Sequence, residues 1–294
     1  MVDRLEFLRG VTSLLGGASD PGGNLNFVRK RALDHFTFNV ETIGWLNSNY
    51  YGNLDVTGPL NTDGSLRGNI SKIFYPQSDT DYKGNFLPAR TGNQYETGVK
   101  GSYLNGRLIS SVAVYRINDT NRAINDPYHP NAAIAAGEVQ SQGVEAELTD
   151  KVTHEFIITA SYGYNTTRQI KASAGSQGIN FNSYFPESIF SLWGDYKFSS
   201  GIAKDTNFGL GYQYHGELID IEDNGNGNTT SKQGGVSLFA VHAGYEFNSH
   251  IHASLKINNL FDKRYLDSFQ NWTRQNYFGA SRNIFLHYHI SNKI

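Results

Sequence analysis

The side chains able to do chemistry fall into few patterns. His242 and His252 stand on the polar side of one alternating hairpin, and His287 and His289 share a face of a later strand. Spacing at i, i+2 on a strand sends both rings the same way, and such a pair could hold a metal ion or haem. Without a third ligand these imidazoles read as polar filling of a wet interior, so no metal site is assigned. The run Asp220, Glu222, Asp223, Asn224, Asn226 is like a calcium loop in composition but lacks the ligand order of one, which makes it an acidic surface loop. Gly16-Gly17 and Gly22-Gly23 are not followed by Gly-Lys-Ser/Thr, so no phosphate loop is formed. No Ser/His/Asp set or carboxylate pair singles itself out, and no catalytic residue or enzymatic activity is expected.

The elements that must position these groups are strands. The chain has 294 residues with 31 Gly, 18 Tyr and 18 Phe, one Met and no Cys. Its mean hydropathy is negative, and no run of about 18 apolar residues exists, which excludes a membrane-spanning helix. A lipid-facing β-barrel escapes that test, because its strands need only about 9–11 residues of alternating character around a polar lumen. A net charge of -2 with no basic stripe gives no case for nucleic acid.

Alternation is cleanest between Val236 and Tyr265. Phe239, Val241, Ala243, Tyr245 and Phe247 lie on one face, with Ile251, Ala253, Leu255 and Ile257 on the return; His242, Gly244, Glu246, His252, Ser254 and Lys256 lie on the other. The same pattern predicts strands over 36–45, 49–56, 93–103, 108–114, 142–149, 155–165, 189–198, 207–215 and 283–290. Asn105-Gly106 predicts a two-residue type I′ turn that sets Leu108, Val112 and Val114 beside the Val99 face. Long loops are expected over 70–90 (Pro76, Asp79, Asp81, Gly84, Pro88), 118–137, 166–183 and 220–233. Tight turns alternating with long polar loops, and aromatics near strand ends, point to an antiparallel transmembrane β-barrel rather than a secreted sandwich.

Several segments carry a family resemblance. The opening stretch sets Asp3, Arg4, Glu6, Arg9, Gly10, Leu15, Gly16, Pro21, Gly22, Gly23, Asn26, Lys30 and Arg31 in the order of the C-terminal part of a receptor plug domain. Asp55 to Arg67, Gln94 to Lys100, Gln142 to Leu148, Pro186, and the run Asn258-Asn259-Leu260-Phe261-Asp262-Lys263-Arg264-Tyr265 with Gly279 and Arg282 continue the match. The chain resembles the TonB-dependent siderophore receptors of the bacterial outer membrane. The resemblance implies residues 1–35 as a plug fragment and 36–294 as barrel, with a first hairpin at 36–67, a loop or deletion junction at 68–92 and the C-terminal half of a barrel at 93–294.

The family barrel has about 22 strands, whereas about eleven or twelve are read here, with neither signal peptide nor TonB box and an ending, Tyr288-His289-Ile290 then Ser291 to Ile294, unlike the usual terminal aromatic. A truncated, internally deleted relative or a fragmentary gene model is therefore expected. The resemblance implies uptake of a ferric siderophore as transported ligand, with no resident cofactor, driven by the TonB–ExbB–ExbD complex. It also implies that Arg9, on the plug, pairs with Glu96 and Glu145 on the wall, since a buried guanidinium and carboxylate are costly unless paired. Two other outcomes stay open: a transport-incompetent barrel remnant with a structural or binding role, and a receptor for haem or another metal chelate.

Overall fold

A computed structural model describes residues 2–8, 24–29, 32–45, 49–173, 175–181, 185–223, 228–248, 250–270 and 275–290, all as strands, turns and loops. No helix among them is long and apolar enough to cross a membrane. In chain order the strands are β1 (Val2–Leu8), β2 (Asn24–Arg29), β3 (Thr37–Trp45), β4 (Asn49–Pro59), β5 (Gly64–Tyr75), β6 (Arg90–Tyr103), β7 (Leu108–Asn125) and β8 (Ala133–Lys151). They continue as β9 (Phe156–Lys171), β10 (Ser188–Lys197), β11 (Thr206–His215), β12 (Leu218–Asp223), β13 (Asn228–Gln233), β14 (Val236–Asn248), β15 (Ile251–Asn258), β16 (Leu266–Gln270), β17 (Gln275–Phe278) and β18 (Asn283–Ile290).

Twelve of them form one antiparallel sheet in the order β3-β4-β5-β6-β7-β8-β9-β10-β11-β14-β15-β18. The pairs β1-β2, β12-β13 and β16-β17 are separate two-stranded sheets. Among the described residues the edge strands β3 and β18 are not paired with each other.

Because side chains alternate across a strand, the register decides which residues share a face. Phe208 stands opposite Tyr196 on one side and Ala243 on the other; Ala243 faces Leu255, and Leu255 faces Leu286. In the other direction Val144 faces Val114, Val112 faces Val99, Val99 faces Leu66, and Ile70 faces Leu54. One face is thus apolar across all twelve strands. It is also exposed, with Leu210 at 52% and Leu286 at 77%. A patch of that extent in water would drive association, and it fits hydrocarbon.

Aromatic rings fringe this band at two levels. Phe156 and Tyr196 lie 6.4 Å apart, Tyr196 and Phe198 4.9 Å, and Tyr245 and Phe247 4.8 Å, near the tight-turn ends of their strands. Phe190 and Tyr212 (6.1 Å), Tyr212 and Phe239 (5.1 Å) and Phe239 and Phe261 (5.3 Å) form the other level. Phe190 and Tyr196 sit on one strand about 20 Å apart at about 3.3 Å per residue, so the two levels lie toward opposite ends of the strand.

Tight turns at 60–63, 104–107 and 152–155 close one end of the sheet. The type I′ turn forms: Asn105 and Gly106 have φ of 57° and 82°, and Arg107 N donates to the Leu104 carbonyl at 3.2 Å. Val99 then pairs with Val112, and Tyr103 with Leu108, as the turn requires.

At the other end four expected loops are shorter or more ordered. The stretch from Ile70 continues as strand to Tyr75, paired residue by residue with β6, so the loop is confined to 76–89 with its Pro, Asp and Gly breakers. Strands β7, β8 and β9 run 18, 19 and 16 residues, well beyond the roughly 9–11 that cross a membrane. The loop expected at 118–137 shrinks to 126–132, and the strand expected to end at 165 reaches Lys171. The acidic stretch near 220 is a hairpin of β12 and β13, with Asn224 and Asn226 outside the described residues. All four differences have one cause. Beyond the lipid both faces of a strand are wet, so apolar alternation stops while the hydrogen-bond ladder continues.

The polar wall and its relatives

Opposite the apolar band lies the polar face. Arg9 lies outside the described residues, so its pairing with the two glutamates remains an expectation. Glu96, on β6, stands between Asn69 and Tyr115 and accepts from Gln94 Nε2 at 3.0 Å. Glu145, on β8, stands between Ala113 and Gly163, and a Cβ on Gly163 would meet nothing within 4 Å. The two carboxylates therefore share a face two strands apart, with Ala113 and Tyr115 on the strand between. Tyr115 Oη in turn accepts from Asn165 Nδ2 at 2.5 Å, which also reaches Ser141 Oγ at 2.9 Å.

The most buried group on this face was not singled out from the sequence. Asp55, 1% exposed, lies beside Arg67, whose Nε donates to Oδ1 at 2.8 Å and whose Nη2 donates to Oδ2. Asn69 Nδ2 donates to Asn53 Oδ1 at 2.5 Å and to the Leu54 carbonyl at 3.0 Å. Thr57 Oγ1 accepts from Leu33 N at 2.9 Å, tying the approach to the sheet down to the wall. A usable signal existed: over 53–57 and 65–71 every second residue is Asn, Asp, Thr, Ser or Arg, and opposite charges on two strands joined by a tight turn imply a pair.

A second group occupies β10, β11, β14 and β15. His242 lies 3.1 Å from Asp195 Oδ1 and 3.0 Å from Asn207 Nδ2, and its ring stacks on Trp193 with centroids 5.4 Å apart. Lys256 Nζ sits 5.7 Å above the same indole. Trp193 can lie flat on the wall because Gly211 is opposite it; a Cβ there would run into the indole. Trp193, Asn207, His242 and Lys256, with Tyr265, Gln213 and His252, line a concavity of about 850 Å³. His242 and His252 do not converge: His242 pairs in register with Lys256 and His252 with Glu246. His287 stands opposite Ser254. Among the described residues no three His, Asp or Glu side chains come together as a metal site would need.

The run from Asn258 to Tyr265 is a loop brace. Asn259, buried and at φ 48°, donates from Nδ2 to the carbonyls of Lys263 and Ala280, both at 2.9 Å, and its Oδ1 accepts from Lys263 N at 2.8 Å. Asp262 Oδ1 accepts from Arg282 N at 2.8 Å, and Gly279 N donates to the Tyr265 carbonyl at 2.9 Å. One buried amide thus holds both ends of the 259–282 connection.

Comparisons with known proteins agree with this architecture. Residues 17–260 match the family model described as TonB dependent receptor-like, beta-barrel. The chain is 30% identical over 230 residues to a ferric-pyoverdine receptor of Pseudomonas sp. strain M114, covering 76% of this chain and 27% of that one. It is 35% identical over 219 residues to the ferrioxamine B receptor of Salmonella typhimurium, covering 73% and 30%. The crystal structure of the outer-membrane ferripyoverdine receptor of Pseudomonas aeruginosa superposes with a TM-score of 0.68 at 24% identity, over 82% of this chain and 33% of that one. The chain thus spans about three-tenths of the length of the curated relatives it matches. A family match over most of its length, on an all-β sheet with one apolar and one polar face, makes this chain a member of the TonB-dependent receptor β-barrel family.

Proposed function

We propose that the chain serves as an outer-membrane receptor for a ferric siderophore, imported with energy delivered through the TonB–ExbB–ExbD complex. The carrying observation is the twelve-stranded sheet whose polar face holds inward carboxylates, aromatics and amides behind a continuous apolar exterior. The similarity to receptors for ferric pyoverdine and ferrioxamine B supports the same reading. In it, Arg9 docks against Glu96 and Glu145, and the open space beside Gly163 leaves room for a guanidinium near Glu145. Tyr and Trp on the wall offer flat apolar surface with a hydrogen-bond donor, apt for a chelate bearing rings and hydroxyls.

The test is uptake of radio-iron chelates by cells that lack their own siderophore receptors and express this chain, with and without TonB. TonB-dependent accumulation of iron is the expected result. Binding to the membrane fraction without accumulation in either background would make the chain a binding barrel that does not transport.

A further inference from the structure

At the long-loop end of the sheet, three strands bring together a cluster that the family reading leaves unassigned. Tyr75 ends β5, Arg90 begins β6, and Asp119 and Arg122 lie in the part of β7 that overshoots the membrane. By register, Gly92 stands opposite Asp119 and Arg122 opposite Gly137, and these positions share the parity of Glu96 and Glu145. The cluster therefore sits on the polar side, at the lip through which a solute would enter. A left-handed Asn121, at φ 59°, forms the bulge that turns Arg122 back inward, and its Nδ2 donates to the Ala89 carbonyl at 3.1 Å.

One carboxylate serves two guanidiniums here. Asp119 accepts from Arg122 Nη1 at 2.7 Å, from Tyr75 Oη at 3.0 Å, and from Arg90 Nη2. Each guanidinium also lies on an aromatic ring: Arg90 is 4.8 Å from the Tyr75 centroid and Arg122 4.6 Å from that of Phe181. Arg90 Nε is buried and meets no acceptor among the described residues. Asp119 thus balances one of two positive charges, and a ring face lies against each guanidinium. A guanidinium so held is preorganised for planar anionic oxygens.

We propose that Arg90 and Arg122 form an anion-binding lip, and that the chelate this receptor takes is negatively charged, presenting carboxylate or catecholate oxygens to it. This rests on the reading of the chain as a ferric-chelate receptor and adds the charge class of the ligand. A cationic hydroxamate would gain nothing from the single net positive charge of Arg90, Arg122 and Asp119.

The experiment measures binding of three ferric probes to the full chain in detergent, by quenching of its tryptophan fluorescence: a citrate complex, a tris-catecholate and ferrioxamine B. At least one of the first two is expected to bind, with its Kd weakened tenfold or more by Arg90→Gln or Arg122→Gln and less by the Lys variants. Raising salt from about 50 to 500 mM should weaken wild-type binding as well, a readout that needs no variant to fold. Binding of the citrate complex alone or the tris-catecholate alone identifies which oxygen chemistry the lip reads. The proposal is overturned if an anionic chelate binds with affinity indifferent to salt and to both Gln substitutions, or if only ferrioxamine B binds. Binding of none of the three overturns the receptor reading itself and this proposal with it.

Discussion

Asp55 and Arg67 meet side by side on β4 and β5, the strands joined by the 60–63 turn, two prongs to two oxygens, with the aspartate 1% exposed. A charge so placed is tolerable only while its partner is present. Removing Arg67 leaves the carboxylate buried without that partner, so Arg67→Met should lower unfolding free energy by about 3 kcal/mol or more. The double variant Asp55→Asn/Arg67→Met should recover part of the loss. Urea unfolding in a defined bilayer measures both; equal stability of wild type and Arg67→Met would refute the pair as a structural element.

The apolar exterior makes a second prediction. Leu210 stands between Gly194 and Val241 on the outer face, 52% exposed. If that face meets hydrocarbon, Leu210→Arg costs about 2–4 kcal/mol in a bilayer. Ser161→Arg, on the polar face against Ser191, should cost far less. The contrast is read by comparing both variants in vesicles; two equal effects would mean that the faces do not differ in solvent.

Asn259 supplies the third. Its amide makes three hydrogen bonds within the 259–282 connection, and it tolerates the left-handed backbone better than most residues. Asn259→Ala takes the donor from the Lys263 and Ala280 carbonyls and the acceptor from Lys263 N, and should cost about 1–2 kcal/mol. Proteolysis of folded protein should then cut between 259 and 282 first.

A pH response follows from the 126–132 loop. Tyr128 N, donating to Asp126 Oδ1 at 2.8 Å, and His129 Nδ1, 2.9 Å from Oδ2, hold the Asp126 carboxyl below the ordinary aspartate range. His129 also stacks on Tyr82, centroids 4.1 Å apart, clasping this loop to the one at 76–89. A carboxyl lowered in the folded state contributes stability above its unfolded value and loses it as pH falls through the folded one. Protection factors for hydrogen exchange at Tyr128 and His129, taken relative to the intrinsic exchange rate at each pH, should therefore be high at neutral pH and fall below about pH 4, near the unfolded aspartate value. In Asp126→Asn that fall should vanish, because the acceptor oxygen remains and the titration does not.

How much could be read beforehand varies with position. Inside the band, alternation alone placed Phe208, Leu210, Val241 and Leu255 on one face, because lipid on one side and water on the other force a period of two. The Asn105-Gly106 turn was equally legible, since few sequences accept two consecutive left-handed residues. Beyond the lipid the signal vanished. Asn118, Asp119, Thr120 and Arg122 look like loop because both faces are wet, yet they extend β7 by pairing with β8. Glu96 and Glu145 could be put on the polar side from parity, whereas no local pattern announced that Asp119 would gather Arg90, Arg122 and Tyr75.

Residue order by itself determined that this chain makes antiparallel strands with one greasy and one polar side, since that property is carried by nearest neighbours along a strand. Only the tertiary structure decided which strands sit together, that β5 joins β6 directly, that Asp55 finds Arg67, and that His242 lies between Asp195 and Trp193. Those choices depend on register across the sheet, where a shift of one residue exchanges the two faces, and register is settled by all the strands at once.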